Sequence, residues 1–477
     1  MPPFAPDSDV VLRRPANGGN VLARLGSALT VSMERWFPDA FTFALLMTIF
    51  VFLVGWAWGT SWSELIKDFG EGFWRLTPFT MQMVMVILGG YVVASSPPVA
   101  RLIRWLAQIP SSSKGSVAFV AFVATTTSLI SYGFSLMFAG FLAREISRRS
   151  VKVDYRALGA AAYLGLGSVW ALGLSSSAAL LMATQSSIPA QLLKVSGLIP
   201  LRETIYTWQS LLTAGILIMI SVLVAYFSAP TGESIRTSQS LGIGIEGSML
   251  TEEAKKTPAT WLEHSPILTI LIVLMGMSFL CQTVSRRGLL TALNLDTYNL
   301  LFLMLGLLFH WRPASFVKAA SEAAPATTGV LVQFPFYAGI FGIISLSPLS
   351  NSLAGAFLRL STHDTYPVLV SIYSATLGFF VPSGGGKWMI EAPYILTAAN
   401  DLRVSPGWVV QVYNTAEALP NLINPFWMLP LLGILKLKAR DLAGFGLLQL
   451  IINGPMVILL MWYLGRTFVS SHPLIQP

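Results

Sequence analysis

Long continuous apolar stretches separated by short polar ones set the pattern of this chain. The runs at 38–59, 77–96, 204–228, 265–283, 297–311, 327–346 and 442–466 read as membrane-crossing helices. Their apolar positions are consecutive rather than alternating, which excludes a transmembrane β-barrel. Four further segments are apolar but interrupted. Residues 115–148 break at Thr125-Thr126-Thr127-Ser128 and Ser131-Tyr132-Gly133, and 155–186 at Gly173-Leu174-Ser175-Ser176-Ser177. Residues 365–400 break at Pro382-Ser383-Gly384-Gly385-Gly386-Lys387, and 407–436 at Pro420-Asn421-Leu422-Ile423-Asn424-Pro425. Each break frees backbone N–H and C=O groups that cannot face lipid, so they must line protein or a watery cavity. Carriers place their binding sites at such breaks.

The two halves align at a constant offset of 251 residues. Lys67 matches Lys318, Glu71 Glu322, Gln82 Gln333, Ser96 Ser347, Pro97 Pro348, Leu102 Leu353, Thr125 Thr376 and Gly133 Gly384. The order of elements repeats as well. The first half has four crossings, an even number, and the extra helix 265–283 then moves the chain to the opposite side. The expected fold is therefore an all-α polytopic membrane protein with an inverted-topology repeat, two re-entrant hairpins and two discontinuous transmembrane helices. Its parts are a cytoplasmic tail 1–37, a first repeat 38–228 (hairpin 115–148, broken helix 155–186) and a cytoplasmic loop 229–264. They continue with a linking helix 265–283, a second repeat 297–466 (hairpin 365–400, broken helix 407–436) and a tail 467–477. Residues 1–37 contain no apolar core or cleavage site of a signal peptide.

Composition agrees. Of 477 residues, 54% are hydrophobic and 11% charged, against about 25% charged in soluble domains. That excludes a soluble enzyme and a disordered chain. The single cysteine, Cys281, excludes an internal disulfide and a Cys-based metal site. The net charge of +8 reflects loop bias rather than nucleic-acid binding. With the N-terminus inside, 20 of the 30 basic residues fall on the cytoplasmic side and 9 on the other, with Lys387 left in the second hairpin. This bias places the N-terminus in the cytoplasm and the C-terminus in the periplasm, although Arg286-Arg287 run against it. The fourteen tryptophans lie mostly near the ends of crossings, as an aromatic belt requires.

The candidate chemistry lies at the breaks. Gly384, Gly385 and Gly386 open backbone conformations closed to other residues, and successive N–H groups can form an anion nest. Ser383 adds a hydroxyl and Lys387 a charge; together they suit a carboxylate. Lys387 either touches substrate, replaces a coupling cation, or pairs with Glu391 one turn on. At the first tip, Thr126, Thr127 and Ser128 are candidate substrate groups, and Thr125 and Ser131 candidate coupling-ion groups. Such oxygens suit a small carboxylate or Na⁺, and ordinary interhelical bonding is the alternative. In the broken helices, Ser176 and Asn421 are candidates for substrate, and Ser175, Ser177 and Asn424 for the ion. Glu417, one turn after Asn414, either carries a coupling proton or partners a polar group on a neighbouring helix. Gly242 to Gly247 match a dinucleotide fingerprint without the strand–helix context it needs. The four histidines form no motif.

Glu34-Arg35-Trp36-Phe37-Pro38-Asp39, Ser131-Tyr132-Gly133-Phe134 and Pro382-Ser383-Gly384-Gly385-Gly386-Lys387-Trp388 resemble the bacterial short-chain fatty acid transporter family, over about 34–466. That family is similar to a larger superfamily of ion-coupled carriers that includes dicarboxylate/sodium symporters. The resemblance implies a homodimer in which a transport domain, holding the hairpins and broken helices, moves as an elevator against a scaffold. The dicarboxylate carriers have Ser-Asn-Thr at both tips. This chain has Thr-Thr-Thr-Ser and Ser-Gly-Gly-Gly-Lys, which opens proton coupling beside sodium coupling. Phe379, Phe380 and Trp388 fit a monocarboxylate with an apolar tail. The expectation is a secondary transporter in the inner membrane for butyrate- or acetoacetate-like acids, coupled to H⁺ or Na⁺, with no cofactor and no nucleic-acid partner. The alternative is a carrier of another organic anion, a dicarboxylate or peptide-like compound. An intramembrane enzyme would need a nucleophile–base pair or metal ligands at helical spacing, and neither is present. A channel would not need paired hairpins.

Overall fold

The computed structural model describes residues 21, 40–75, 77–149, 152–183, 193, 196–244, 257–292, 295–348, 359–380, 384–425 and 427–468. The tails 1–37 and 467–477, apart from Val21, Thr467 and Phe468, fall outside these residues. So do the Glu34–Asp39 stretch and Ser383. The described residues are helical, with no strand among them.

The first half begins with α1 (Ala40–Ala57), the amphipathic α2 (Trp62–Arg75), α3 (Thr77–Ser95) and α4 (Pro97–Leu106). It continues with α5 (Ser113–Ser128) and α6 (Tyr132–Arg149), joined at Leu129–Ser131. Next comes an interrupted helix. Its first part α7 (Tyr155–Leu164) passes through a π turn (Gly165–Val169) and a 3₁₀ turn (Trp170–Leu172) before α8 (Ser177–Met182). The half closes with α9 (Trp208–Ser228). After α10 (Pro258–His264) and α11 (Pro266–Arg287), the second half has α12 (Leu295–His310), α13 (Pro313–Leu346), α14 (Tyr366–Phe380) and α15 (Gly384–Asp401). It ends with α16 (Pro406–Ala418), a 3₁₀ turn (Leu419–Leu422), α17 (Leu429–Leu435) and α18 (Ala439–Gly465).

Local chemistry sets these boundaries. Proline occupies an early position in α4, α10, α11, α13 and α16, where its missing N–H costs nothing. Ser112, Asp154, Ser176, Thr207 and Ser265 accept backbone N–H bonds as N-caps. Thr207 starts α9 at Trp208, so residues 204–207 of the expected crossing form a turn instead. The expected crossing 327–346 is the second part of one helix. α13 continues through Pro325 and Pro335, and α1, α2 and α3 pack against it.

Four helices among the described residues are long and apolar enough to cross a membrane: Tyr155–Met182, Trp208–Ser228, Pro266–Arg287 and Ala439–Gly465. The protein is an all-α polytopic membrane protein. Helices α1–α4 and α11–α13 pack on one another, and α5–α9 pack with α14–α18. The two groups meet chiefly where α3 touches α6 and α13 touches α17. Burial separates them: the apolar stretch of 155–182 is 89% buried and that of α11 only 17%. Leu271, Leu274, Met275 and Phe279 of α11 are exposed, as a lipid-facing helix requires. Trp56, Trp58, Trp62, Trp74, Trp105, Trp208, Trp261 and Trp311 are also exposed, whereas Trp170, Trp388, Trp408 and Trp427 are buried.

Asp154 ties the inner helices to the loop that follows α9. Its carboxylate caps α7 through Arg156 N and Ala157 N, both at 3.0 Å, and accepts from Arg236 N at 2.9 Å. The Arg156 guanidinium balances its charge at 3.1 Å, with both side chains buried. Asp154→Ala removes the cap and the buried carboxylate that balances Arg156. The expected result is a stability loss of about 1–3 kcal/mol and faster backbone exchange over 229–244, read by thermal unfolding and hydrogen exchange.

Candidate functional site

The turn between α5 and α6 (the first tip) and the first turn of α15 (the second tip) meet the interrupted helices, and Trp170 links them. The Trp170 ring lies edge-on to Tyr132 of the first tip, with centroids 5.5 Å apart. A Cβ on Gly384 of the second tip would stand 2.5 Å from Trp170 Cη2. The α8 side of the break follows closely: Ser175 Oγ donates to Ser128 O at 2.9 Å and accepts from Tyr132 N at 2.9 Å. Leu174 N donates to Leu129 O at 2.7 Å. Ser177 faces Gly385, its Cβ 3.3 Å from where a Gly385 Cβ would stand. Ser176 Oγ donates to Asn414 Oδ1 at 3.0 Å, joining the two interrupted helices.

The second break mirrors this partly. Asn424 Nδ2 donates to Phe379 O at 2.8 Å, just before the second tip. Asn421 Nδ2 reaches Leu166 O at 3.4 Å, and Tyr163 donates to Asn421 O at 2.8 Å. Gly386 lies in the first turn of α15.

The hydroxyls of the first tip turn back on their own helix. Thr125, Thr126 and Thr127 donate to the carbonyls of Ala121, Phe122 and Val123 at 2.8, 2.7 and 2.6 Å. A threonine inside a regular helix satisfies its hydroxyl in this way. Ser131 Oγ accepts from Phe134 N at 3.1 Å and caps α6. Ser128 differs: it is fully buried and its Oγ has no protein partner.

Lys387 does not reach the tip as a free charge. Its Nζ lies 2.6 Å from Glu417 Oε2, 3.1 Å from Glu391 Oε1 and 2.8 Å from Ser374 O. It also sits over the Tyr413 ring at 4.4 Å, a cation–π distance. Ser374 Oγ donates to Glu391 Oε2 at 2.5 Å. Lys387, Glu391 and Glu417 are 0–1% exposed. Tyr413 connects this cluster to the second tip, since its hydroxyl donates to Gly384 O at 2.5 Å.

Several buried polar atoms beside these groups have no protein partner: Trp170 Nε1, Trp388 Nε1, Asn414 Nδ2, Asn421 Oδ1 and both amide atoms of Gln411. Four of them are N–H donors. Buried donors cost free energy unless satisfied, so they suit an anionic or polar ligand set among apolar walls. Trp170 and Gln411 escape a reading of the chain for breaks and charges. The available signals were the position of Trp170 just ahead of Gly173 and the spacing of Gln411, Asn414 and Glu417 along one helical stripe.

Helices that cross the bilayer, interruptions facing protein rather than lipid, and buried polar groups at those interruptions define a membrane carrier. The profile of the family described as short chain fatty acid transporter matches residues 21–464, and the chain belongs to that family. Two relatives each bear the name "Putative short-chain fatty acid transporter". One, from Escherichia coli, is 34% identical over 92% of this chain and 99% of its own length. The other, from Haemophilus influenzae, is 31% identical over 93% and 100%. The family and these relatives are transporters, not enzymes. Among solved structures, the YdaH transporter of Alcanivorax borkumensis aligns at 14% identity and a TM-score of 0.49, covering 91% of this chain and all of that one. MtrF of Neisseria gonorrhoeae, associated with a class of antimetabolite efflux pumps, aligns at 12% and 0.46, covering 94% and 98%.

Proposed function

We propose that the protein is a secondary carrier of short-chain monocarboxylates, of the size and chemistry of butyrate or acetoacetate, driven by H⁺ or Na⁺. The observation that carries the reading is the meeting of both tips at Trp170, beside buried N–H donors that lack a protein partner. Those donors fit one carboxylate, and Phe379 and Trp388, on either side of the second tip in sequence, fit a short apolar tail. The names of the two relatives agree.

The same proposal takes the halves as inverted repeats. Adding 251 to the bounds of α6 gives 383–400, against Gly384–Asp401 for α15. Adding it to the start of α7 gives 406, the first residue of α16. Packing repeats too: α5 lies on α7 and α9 as α14 lies on α16 and α18. In this reading both helix pairs are re-entrant hairpins, α5–α9 with α14–α18 form the moving body of an elevator, and α1–α4 with α11–α13 form a dimeric scaffold. The loop charge bias supports an inner-membrane setting, with the N-terminus cytoplasmic and the C-terminus periplasmic.

Uptake of labelled butyrate into proteoliposomes tests this, with proton and sodium gradients imposed separately. Saturable uptake with counterflow is expected under one gradient. Trp170→Phe keeps the ring and removes one donor, so KM is expected to rise about tenfold or more, the worth of a hydrogen bond to a charged group. Absence of butyrate uptake under either gradient overturns the substrate assignment.

A further inference from the structure

An ammonium group has three N–H donors. Lys387 donates one to the Ser374 carbonyl, and its ammonium lies at ion-pair distance from both Glu417 and Glu391. Its charge is therefore already engaged in this conformation. The two carboxylates face one cation, so the fully ionised triad holds one surplus negative charge in a site closed to water. A buried charge without a partner is strongly opposed, and one proton removes the surplus. The first half has no counterpart. The positions 251 residues earlier are Leu136, Gly140 and Leu166.

We propose that the triad is the coupling site and binds one proton, shared between Glu391 and Glu417 against Lys387. This rests on the monocarboxylate reading above. Tyr413 couples the triad to the tip, holding Gly384 O while its ring underlies Lys387. A Gly378 Cβ would stand 2.8 Å from Glu417 Oε2, so α14 also abuts the cluster just before the tip. A substrate anion near Gly384 is repelled by the surplus charge of the deprotonated triad, and protonation lifts that repulsion. By linkage the bound anion favours the proton equally.

The other titratable groups facing the pair are Tyr366 and Tyr373 on α14, Tyr394 on α15 and Tyr413 on α16. α8 and the Leu419–Leu422 turn bring none. α13 and α18 also pack on α14; α13 carries Lys318 and Glu322 beyond its first turn, and α18 carries Arg440 and Asp441 within its first turn. The hydroxyls of Tyr373 and Tyr394 bond each other at 2.8 Å, and Tyr366 donates to Ile395 O. That leaves the two carboxyls to take the proton.

Calorimetric binding of butyrate to the purified full chain, in buffers of different ionisation enthalpy from pH 6.5 to 8.5, tests the proposal. The wild type is expected to take up about one proton per butyrate at the alkaline end, where Kd rises about tenfold per pH unit. Glu417→Gln and Glu391→Gln each leave one carboxylate matched to Lys387. Both are expected to bind with a pH-independent Kd and no proton uptake, and Glu417→Asp to restore both effects. Butyrate binding by the wild type without proton uptake overturns the proposal and leaves the substrate reading intact. A pH slope that persists in both glutamine variants also overturns it, because the proton then enters on the acid itself. Failure of the wild type to bind butyrate overturns the substrate reading and this proposal together.

Discussion

Lys387→Met is expected to cost about 3–5 kcal/mol of stability at neutral pH, the usual loss when one partner of a buried ion pair is removed. The reason lies in the charge balance of the triad. Glu391 and Glu417 would have no cation between them in a site 0–1% exposed, and either holding their charges or taking up protons there costs free energy at neutral pH. Methionine fills much of the lysine stem, so the loss reports charge more than packing. Two controls make this specific. The triple variant Lys387→Met, Glu391→Gln, Glu417→Gln has no charge left to strand and is expected to recover most of the stability. Lowering the pH is expected to recover part of it in the single variant, since protons neutralise the stranded carboxylates. Thermal unfolding of the purified protein at two pH values reads both effects. A single variant as stable as the wild type at neutral pH would show that Lys387 does not hold these carboxylates in charged form.

The helical, membrane-crossing character of the chain was legible in the sequence, and the reasons are local. Apolar runs, early prolines and capping hydroxyls act within one turn of chain, so the helices fall close to their expected bounds. The interruptions at 173–177 and 420–425 were legible because Gly, Pro and Ser clusters inside apolar stretches have few other uses. Residues 125–128, expected as a break, instead complete α5, and 384–387 open α15 as helix, because each Thr or Gly there keeps its place in the backbone ladder. The pairing of Lys387 with Glu391 was legible as a spacing of four. Its second partner was not. Glu417 lies thirty residues on, and only the packing of α16 against α14 and α15 chooses Lys387 for it. The threonines of the first tip were readable as ligands or as internal donors. Their place inside α5, one turn after carbonyls that accept a second bond, decides for internal donors in this structure. Nothing in the sequence singled out Trp170, because its contacts to Tyr132 and Gly384 join segments 38 and 214 residues away.

Gly173→Ala and Gly384→Ala are expected to abolish butyrate uptake, while Gly215→Ala leaves it unchanged. Space decides each case. A methyl group on Gly173 would stand 2.2 Å from Leu129 O and 2.6 Å from Leu129 Cα. These are backbone atoms of the first tip, so no rotamer change relieves the clash. The break must draw away from the tip, which loosens the Leu174 N–Leu129 O bond and both bonds of Ser175. On Gly384 the methyl would meet Trp170 Cη2 at 2.5 Å. That ring is backed by Tyr132, so relief moves the first tip as well. Overpacking of this kind costs about 1–3 kcal/mol, less than a helical membrane protein needs to unfold. The variants are therefore expected to express and bind lipid normally while the two tips are held apart. On Gly215 of α9 the methyl meets nothing within 4 Å, and the alanine raises helix propensity. Uptake assays on the three variants at matched protein incorporation check this. Normal uptake by Gly384→Ala would mean that the second tip does not close on Trp170 during transport. Normal uptake by Gly173→Ala would say the same of the first tip, and place the substrate away from both.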